Sequence, residues 1–497
     1  MIIGIYVSME NRYVGGGYVY QKSLFDAVVL KQSQIGLKHK IIFFYSGENE
    51  LVNNLDGNFV NVDWYTGRLN EAAMRHKVDI MWFLSVGYED VDMPHILPVW
   101  DLQHRIKTYF PEVSSGGEYI SRENMYNCFL PRATYILTGT EEGKKEISFF
   151  YKIPLDRIVV NPLPSSPNIS NEQTAITDEL LSVGLNDQKF LFYPAQFWPH
   201  KNHIVLLEAM KILKSHGNLG LKLVFTGSNH GNMDYIIAKI HEMGLGNDVL
   251  LLGFVSNESI LWLYQNAFAL VYPSYFGPDN IPPIEAFSVG CSVIAANISG
   301  AKEQLGEAAL FVDPQDEVGF AGAVIRLMED QVLKNDLIQK GYAIAKTRTA
   351  ENYVLKVFNI IDTFSSVRRC WGEHYNIKYT PKLLEWLNYY LQNKEIHSLI
   401  SLLSICTDQS LETTYNNILV VFNRIVSSNN AAEAEIERKN FNCALDILNS
   451  ILNECTDYAP AYINLSKICY ANSDIEKAFE YMKTANYYQK RLRLCLY

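Results

Sequence analysis

The stretch Tyr272–Ala296, YPSYFGPDNIPPIEAFSVGCSVIAA, decides how this chain is read. An apolar run, Phe268-Ala-Leu-Val-Tyr272, leads into it as the end of a buried strand. A turn dense in Pro, Gly, Asp and Asn follows, then a helix carrying Glu285 in its early turns, then a second apolar strand from Ser292 to Ala296. A strand–loop–helix–strand unit of this kind belongs to an open parallel sheet, whose ligands bind at the carboxyl ends of the strands. The loop backbone and the helix N-terminus offer free N–H groups suited to a phosphate or diphosphate. A carboxylate one turn into the helix is placed to accept hydrogen bonds from a ribose diol. The plain alternative is a surface turn in which Glu285 does no more than favour the helix dipole.

The residues PP-x-EA-x(3)-GC-x-V-x-A, Pro282 to Ala295, resemble the nucleotide-sugar site of retaining GT-B glycosyltransferases of family 4. That family carries two glutamates in this stretch. Glu285 matches the second, and Gly277 stands where the first would be, so FGPDNIPP replaces the usual acidic run. The resemblance implies a GT-B fold, two Rossmann-like domains facing a cleft, with a nucleotide-diphosphate sugar as donor substrate. It implies no further cofactor and no bound metal. It puts Glu285 on the ribose, the amides around Asn280 and Ile281 on the diphosphate, and Pro282 among the nucleotide-sugar contacts.

The rest of the chain supplies the other parts of that site. Residues 2–8, IIGIYVS, read as a buried strand; Gly15, Gly16 and Gly17 follow, and then a helical pattern from Tyr18 to Leu30. Glycines between a strand and a helix let backbone approach a ligand, although a flexible turn needs them equally. In the family, a Gly-rich loop here faces the diphosphate-sugar. Short apolar runs at 40–46, 58–64, 79–85, 95–101, 133–140 and 157–164 alternate with helical patterns, which indicates a doubly wound parallel sheet. Trp100-Asp-Leu-Gln-His104-Arg105 lies just past a strand end, and it resembles the family segment whose active-site His contacts the donor sugar, here His104. Ser114-Ser-Gly-Gly-Glu118, with Tyr119 and Arg122, reads as a mobile loop within reach of an acceptor. Asp90-Val91-Asp92 has the Asp-x-Asp pattern of metal–diphosphate sites in the other major transferase fold; in an acidic loop before a Pro it reads as coincidence.

From Gln188 the alternation restarts, with apolar runs at 189–195, 221–228 and 248–255. Two layered domains leave a cleft between them, where small-molecule sites tend to lie. His200-Lys201-Asn202-His203 opens a helix after the first of these strands, and Lys201 is a point charge beside helix N–H groups. PAQFWPHKNH resembles the family's diphosphate-binding segment, with Gln196 where an Arg is often found. The turns at Gly227-Ser228 and at Gly253-Phe254-Val255 end strands on the same edge, and in the family these turns meet the nucleotide. Tyr353 to Phe364 reads as the helix that crosses back to the first domain.

From Trp371 strands give way to helical patterns. Asn440-Phe441 with Ala444 and Leu448 recurs, 34 residues on, as Asp474-Ile475 with Ala478 and Met482. With Ala461, Asn464, Leu465 and Ala485 this resembles tetratricopeptide repeats, which stack to bury a shared face. Two copies are few, so helices in 381–425 either cap them or dock on the transferase. The expected division is 1–165 and 166–348 as the two Rossmann-like domains, 349–370 as crossing helix and linker, and 371–497 as the all-α repeat module.

Composition sets outer bounds. At 497 residues, 48% hydrophobic and 20% charged, the chain is globular and of several domains. A net charge of −11 argues against general nucleic-acid binding. Eight Cys without a C-x-x-C pair suggest reduced thiols in a cytosolic protein, and no apolar run reaches spanning length. The reading is a cytoplasmic hexosyltransferase, with peripheral membrane association as an option. Its acceptor is a glycan, a lipid-linked saccharide or a protein, and residues 371–497 are available to a protein partner or to self-association. A phosphorylase or sucrose-synthase-like activity is the runner-up within the fold. The alternative class is a catalytically decayed scaffold whose repeats bind a protein.

Overall fold

The computed structural model describes residues 1–8, 16–35, 38–47, 49, 51–52, 58–64, 68–166, 169, 172–217, 220–371, 381–404 and 412–494. Its first sheet has seven strands, β1 (Ile2–Val7), β2 (Lys40–Tyr45), β3 (Phe59–Asn61), β4 (Ile80–Phe83), β5 (His95–Pro98), β6 (Tyr135–Thr138) and β7 (Ile158–Val160). They lie in the order β3-β2-β1-β4-β5-β6-β7, all parallel. The second sheet has six, β8 (Lys189–Pro194), β9 (Leu221–Thr226), β10 (Val249–Leu251), β11 (Ala269–Tyr272), β12 (Val293–Ala296) and β13 (Ala309–Val312). Its order is β10-β9-β8-β11-β12-β13, again parallel.

Central strands of such sheets are covered on both faces, which is why they read as unbroken apolar runs. Ile3, Ile5, Phe44, Ile80, Phe83, Leu223, Phe225, Val293 and Ile294 are fully buried. The strand order reverses beside β1 in one sheet and beside β8 in the other, and crevices open at the carboxyl ends there. The chain passes between the domains through residues 161–166 and returns by helix Ala350–Arg368. That helix buries Tyr353, Val354, Val357, Phe358 and Ile361 in the core of the first domain. Tyr353 also meets Tyr20 hydroxyl to hydroxyl at 2.8 Å.

The segment expected as a mobile loop at 114–118 is ordered instead. Pro111–Ser114 and Glu118–Phe129 are helices, and Gly116 and Gly117 make the turn between them at φ 64° and 79°. Two left-handed residues in succession suit glycine, which has no Cβ to clash. The glycines therefore serve a helix–turn–helix.

Beyond residue 371 the described chain is all helical: Pro381–Gln392, Ile396–Ser404, Glu412–Glu437, Phe441–Glu454, Ala459–Ala471 and Ile475–Leu494, each packed on the next. Ala444, Ala461, Ala478 and Ala485 are buried where helices approach, as their small size permits. The module also docks on the first domain. Tyr415 donates a hydrogen bond to Glu71 at 3.2 Å, the Arg75 guanidinium lies 4.0 Å from the Tyr415 ring centre, and Met74 packs into the module's core. Among the described residues no helix is long and apolar enough to cross a membrane.

Candidate active site

The two switch points face each other across a cleft of about 490 Å³, within the range of small-molecule sites. The first domain contributes the start of helix Gly16–Ile35 and the residues that follow β5, Trp100, Asp101 and Gln103. Gln21 fixes that helix to the end of β1: its amide oxygen accepts from the Ser8 N–H at 2.9 Å, and its amide nitrogen donates to the Ser8 carbonyl at 3.0 Å. Gly16 and Gly17 are thereby held at the cleft; Gly15 lies outside the described residues.

The second domain contributes most of the lining, largely from strand ends, with Asn257, Ile260 and Tyr264 of helix Asn257–Asn266 added. After β8 come Gln196, His200 and Lys201; after β9, Gly227 and Ser228; after β10, Gly253, Phe254 and Val255. After β11 come Phe276 to Pro282 and Glu285. The Lys201 ammonium stands 3.3 Å from the Tyr272 hydroxyl and 5.5 Å from that ring's centre. It has no ion pair among the described residues, so an anion entering the cleft would meet a cation with no resident carboxylate. Its backbone is pinned by Tyr193, which donates to the Lys201 carbonyl at 2.7 Å, and by Asn202 in a left-handed turn (φ 57°) whose amide reaches the Pro273 and Pro314 carbonyls. Gln196 accepts from the Trp198 indole at 3.0 Å and donates to the Ser228 hydroxyl at 3.3 Å.

Gly227 has φ 135°, and a Cβ there would lie 2.4 Å from the Ala195 carbonyl oxygen. Only glycine lets β8 and β9 end this close together.

Glu285 lies in helix Ile281–Ser288 and accepts a hydrogen bond from the buried Tyr264 hydroxyl at 2.6 Å. Burial pushes its carboxyl up to about 6. Of the amides expected to face a diphosphate, that of Asn280 already donates to Gln304 at 3.1 Å, which leaves that of Ile281. Pro282 and Pro283 have no N–H to offer. Asp279, one residue earlier, is buried between the domains, where it accepts from the Leu163 N–H at 2.6 Å and faces Arg348 at 3.5 Å. Its burial pushes it up to about 7, although Arg348 opposes the shift.

His104 is not brought to the cleft. It sits a helical turn past Asp101, fully buried, with its Nε2 2.7 Å from Glu123 and 3.3 Å from the Tyr151 hydroxyl. Burial and the nearby Arg122 press its pKa below the usual imidazole value. From this segment Trp100, Asp101 and Gln103 line the cleft, and the charged one among them is Asp101. Against the cost of burial, Arg122 at 2.7 Å and the Gln103 amide hold its carboxyl below the usual range. Trp100, Asp101 and Gln103 are thus lining residues that sequence reading missed; their place at or just beyond the end of the apolar run at 95–101, past β5, was the signal available.

Side chains of each domain also fix the other. Glu112 accepts from the His200 N–H at 3.0 Å and meets its ring Nδ1 at 2.5 Å. Glu303 accepts from the first amides of helix Glu141–Tyr151, at 2.6 and 3.4 Å, where a carboxylate suits the helix dipole. Asp90 and Asp92 pair with Arg132, on a different surface of the first domain. Among the described residues no three His, Cys, Asp or Glu side chains gather as a metal-ligand set.

Comparison with known proteins agrees with this architecture. Residues 181–344 match the family model described as glycosyl transferases group 1. The O-antigen chain mannosyltransferase B of Escherichia coli is 28% identical over 232 residues, 46% of this chain and 61% of that protein. A Campylobacter jejuni N-acetylgalactosaminyltransferase acting on a diphospho-undecaprenol-linked saccharide is 31% identical over 222 residues, 44% of this chain and 56% of that one. The chain thus spans little more than half the length of these relatives. Among solved structures, sucrose-phosphate synthase from Thermosynechococcus elongatus superposes with a TM-score of 0.56 at 15% identity, over 74% of this chain and 99% of that one. HepE of Anabaena in complex with UDP-glucose gives 0.56 at 14% identity, over 73% and 100%. The chain therefore has the GT-B fold, two Rossmann-like domains facing a cleft with an all-α region added, and through its second domain it is related to the glycosyl transferases of group 1.

Proposed function

We propose that this protein is a glycosyltransferase moving a hexosyl group from a nucleotide-diphosphate donor to a saccharide, lipid-linked or protein acceptor, with retention and without a bound metal. Bacterial polysaccharide or glycoconjugate assembly is the setting its relatives' names suggest, at the cytoplasmic face of the membrane. The observation that carries the reading is Lys201: a cation with no ion pair among the described residues, facing the cleft between Gly16–Gly17 and Glu285.

In this reading the nucleotide lies on the second domain, with Glu285 accepting the ribose hydroxyls and Gly253 to Val255 against the base. The diphosphate lies between Lys201 and the Ile281 amide. The bond from the anomeric carbon to the β-phosphate oxygen breaks, and that carbon bonds to the acceptor oxygen on the same face. The acceptor proton leaves with the departing phosphate. Charge builds on the diphosphate as the bond breaks, and a fixed cation with no resident counter-ion stabilises it without reorganisation. Asp101, ionised and opposite, is placed to accept from sugar hydroxyls. The helices from 441 onward are read as tetratricopeptide-like repeats.

The test is thermal stabilisation by UDP-, GDP-, ADP- and dTDP-sugars, followed by turnover with the one that binds. One donor should raise the melting temperature. Lys201→Ala should weaken it by roughly 10- to 100-fold, the loss of a charge-assisted hydrogen bond of about 1.5–3 kcal/mol. Absence of a shift with every donor would refute the reading and favour a scaffold.

A further inference from the structure

A second cavity, of about 930 Å³, lies between the first domain and the helical module. Its floor on the domain side is Asp63, just after β3, and Tyr88 and Glu89, in the segment after β4. Opposite stand Asn429 and Asn430 of helix Glu412–Glu437 and Asn464 of helix Ala459–Ala471. The groove therefore opens on the carboxyl edge of the same sheet that lines the cleft. Tyr88 joins the two walls, because its hydroxyl donates to the carbonyl of Pro98, the last residue of β5, two residues before Trp100.

The charges along this groove are largely engaged. Asp63 accepts from the Ser46 hydroxyl and the Gly47 N–H, both at 2.6 Å. Glu89 accepts from the Tyr6 hydroxyl, Asp90 and Asp92 pair with Arg132, and Glu433 pairs with Lys467 at 2.7 Å. With five carboxylates against Arg68 and Lys467, the lining repels anions. What the groove leaves open is amide. Asn464 donates to the Asn429 oxygen at 3.2 Å, and both side chains are almost fully buried. The other half of each amide, a donor on Asn429 and an acceptor on Asn464, has no partner among the described residues. Phe129 packs on Tyr88 at 5.5 Å between ring centres, adding apolar ring surface to the wall.

Paired donors and acceptors without net positive charge, beside aromatic rings, match the vicinal hydroxyls and C–H faces of a sugar chain. We infer that this groove binds a neutral oligosaccharide of three or more units, the part of a growing acceptor remote from its reacting end. The acceptor role rests on the glycosyltransferase reading; the affinity of the groove for sugar does not. The helical module is then a glycan-holding wall, which accounts for its docking on the transferase domain through Tyr415.

The experiment is binding of the full chain to an array of defined neutral oligosaccharides from one to eight units, with calorimetry on the best. Chains of three or more units should bind and monosaccharides should not. Asn464→Leu should weaken binding at least tenfold, and so should Asn430→Trp, which blocks the groove from an exposed position where the fold tolerates it. Neither variant should alter the thermal shift given by nucleotide-sugars. Failure of every oligosaccharide to bind overturns the inference, as does equal binding by both variants. Capture of basic peptides in place of sugars, lost in Asn430→Trp, also overturns it, in favour of a peptide groove. A donor shift without glycan binding sinks the groove alone; glycan binding without a donor shift sinks only the transferase reading.

Discussion

Nucleotide-sugar affinity should fall as pH drops through 6, and Glu285 should be the reason. Its carboxyl is raised to about 6 by burial in a helix start where Tyr264 is its hydrogen-bond partner. At about 6 the group is about 90% ionised at pH 7 and about 10% at pH 5. A charged acceptor holds a hydroxyl more strongly than a neutral one by about 1 kcal/mol, or roughly fivefold in affinity. Combining the two, the dissociation constant should rise about fourfold between pH 7.5 and pH 5 and then level off. Glu285→Gln resembles the protonated form, so it should bind about fivefold more weakly at pH 7.5 and show no slope, the two curves converging at low pH. Calorimetry with an intact nucleotide-sugar is the assay, because the diphosphate diester does not titrate in this window, whereas a free nucleoside diphosphate does. Parallel slopes in the two proteins would refute the reasoning, since the titrating group would then lie elsewhere.

Two further substitutions probe how the site is held. Asp279, raised to about 7 by burial between the domains, keeps its proton in the folded state at pH values where the unfolded chain has lost it. Its contribution therefore becomes destabilising as pH rises above about 4, and the cost is fully present above about 7. Asp279→Asn should gain on wild type by roughly 2–3 kcal/mol between pH 5 and pH 8, seen as roughly 5–10 °C in the melting of the second domain; a gap independent of pH would exclude this origin. Gly227→Ala places a Cβ 2.4 Å from a backbone oxygen at a φ of 135°, so it should lower stability by about 2–4 kcal/mol and abolish donor binding, and a variant as stable as wild type in denaturant would show that the turn can relax.

Much of this architecture could be read from the chain because parallel strands covered on both faces leave apolar runs that only a buried sheet explains. The runs at 40–46 and 221–228 became β2 and β9 with their ends shifted by two residues or fewer. Other features depend on contacts that sequence does not display. Docking of the helical module turns on Tyr415 meeting Glu71 and Arg75, more than 300 positions away. The Asn280 amide was lost to Gln304, a residue with no local mark of that role.

The segment 100–105 shows where the limit lies. His104 is the residue that the resemblance of this segment to the family's points to, yet the cleft takes Trp100, Asp101 and Gln103 and leaves His104 inside the domain. Strand ends explain much of the difference. A residue within about three positions of a carboxyl end still points along the sheet toward the crevice, as Asp101 does after β5, whereas in the short helix that follows, Gln103–Ile106, Gln103 still lines the cleft and His104 is turned back into the domain. The same geometry holds for Gln196 after β8, for Gly227 and Ser228 after β9, and for Gly253 to Val255 after β10. Lys201 and Glu285 lie further along, Lys201 at the end of the short turn Pro199–Lys201 and Glu285 in helix Ile281–Ser288, and both still line the cleft. Position relative to a strand end is therefore a strong guide in this fold, and on that criterion Asp101 ranks above His104 as a side chain presented to the cleft.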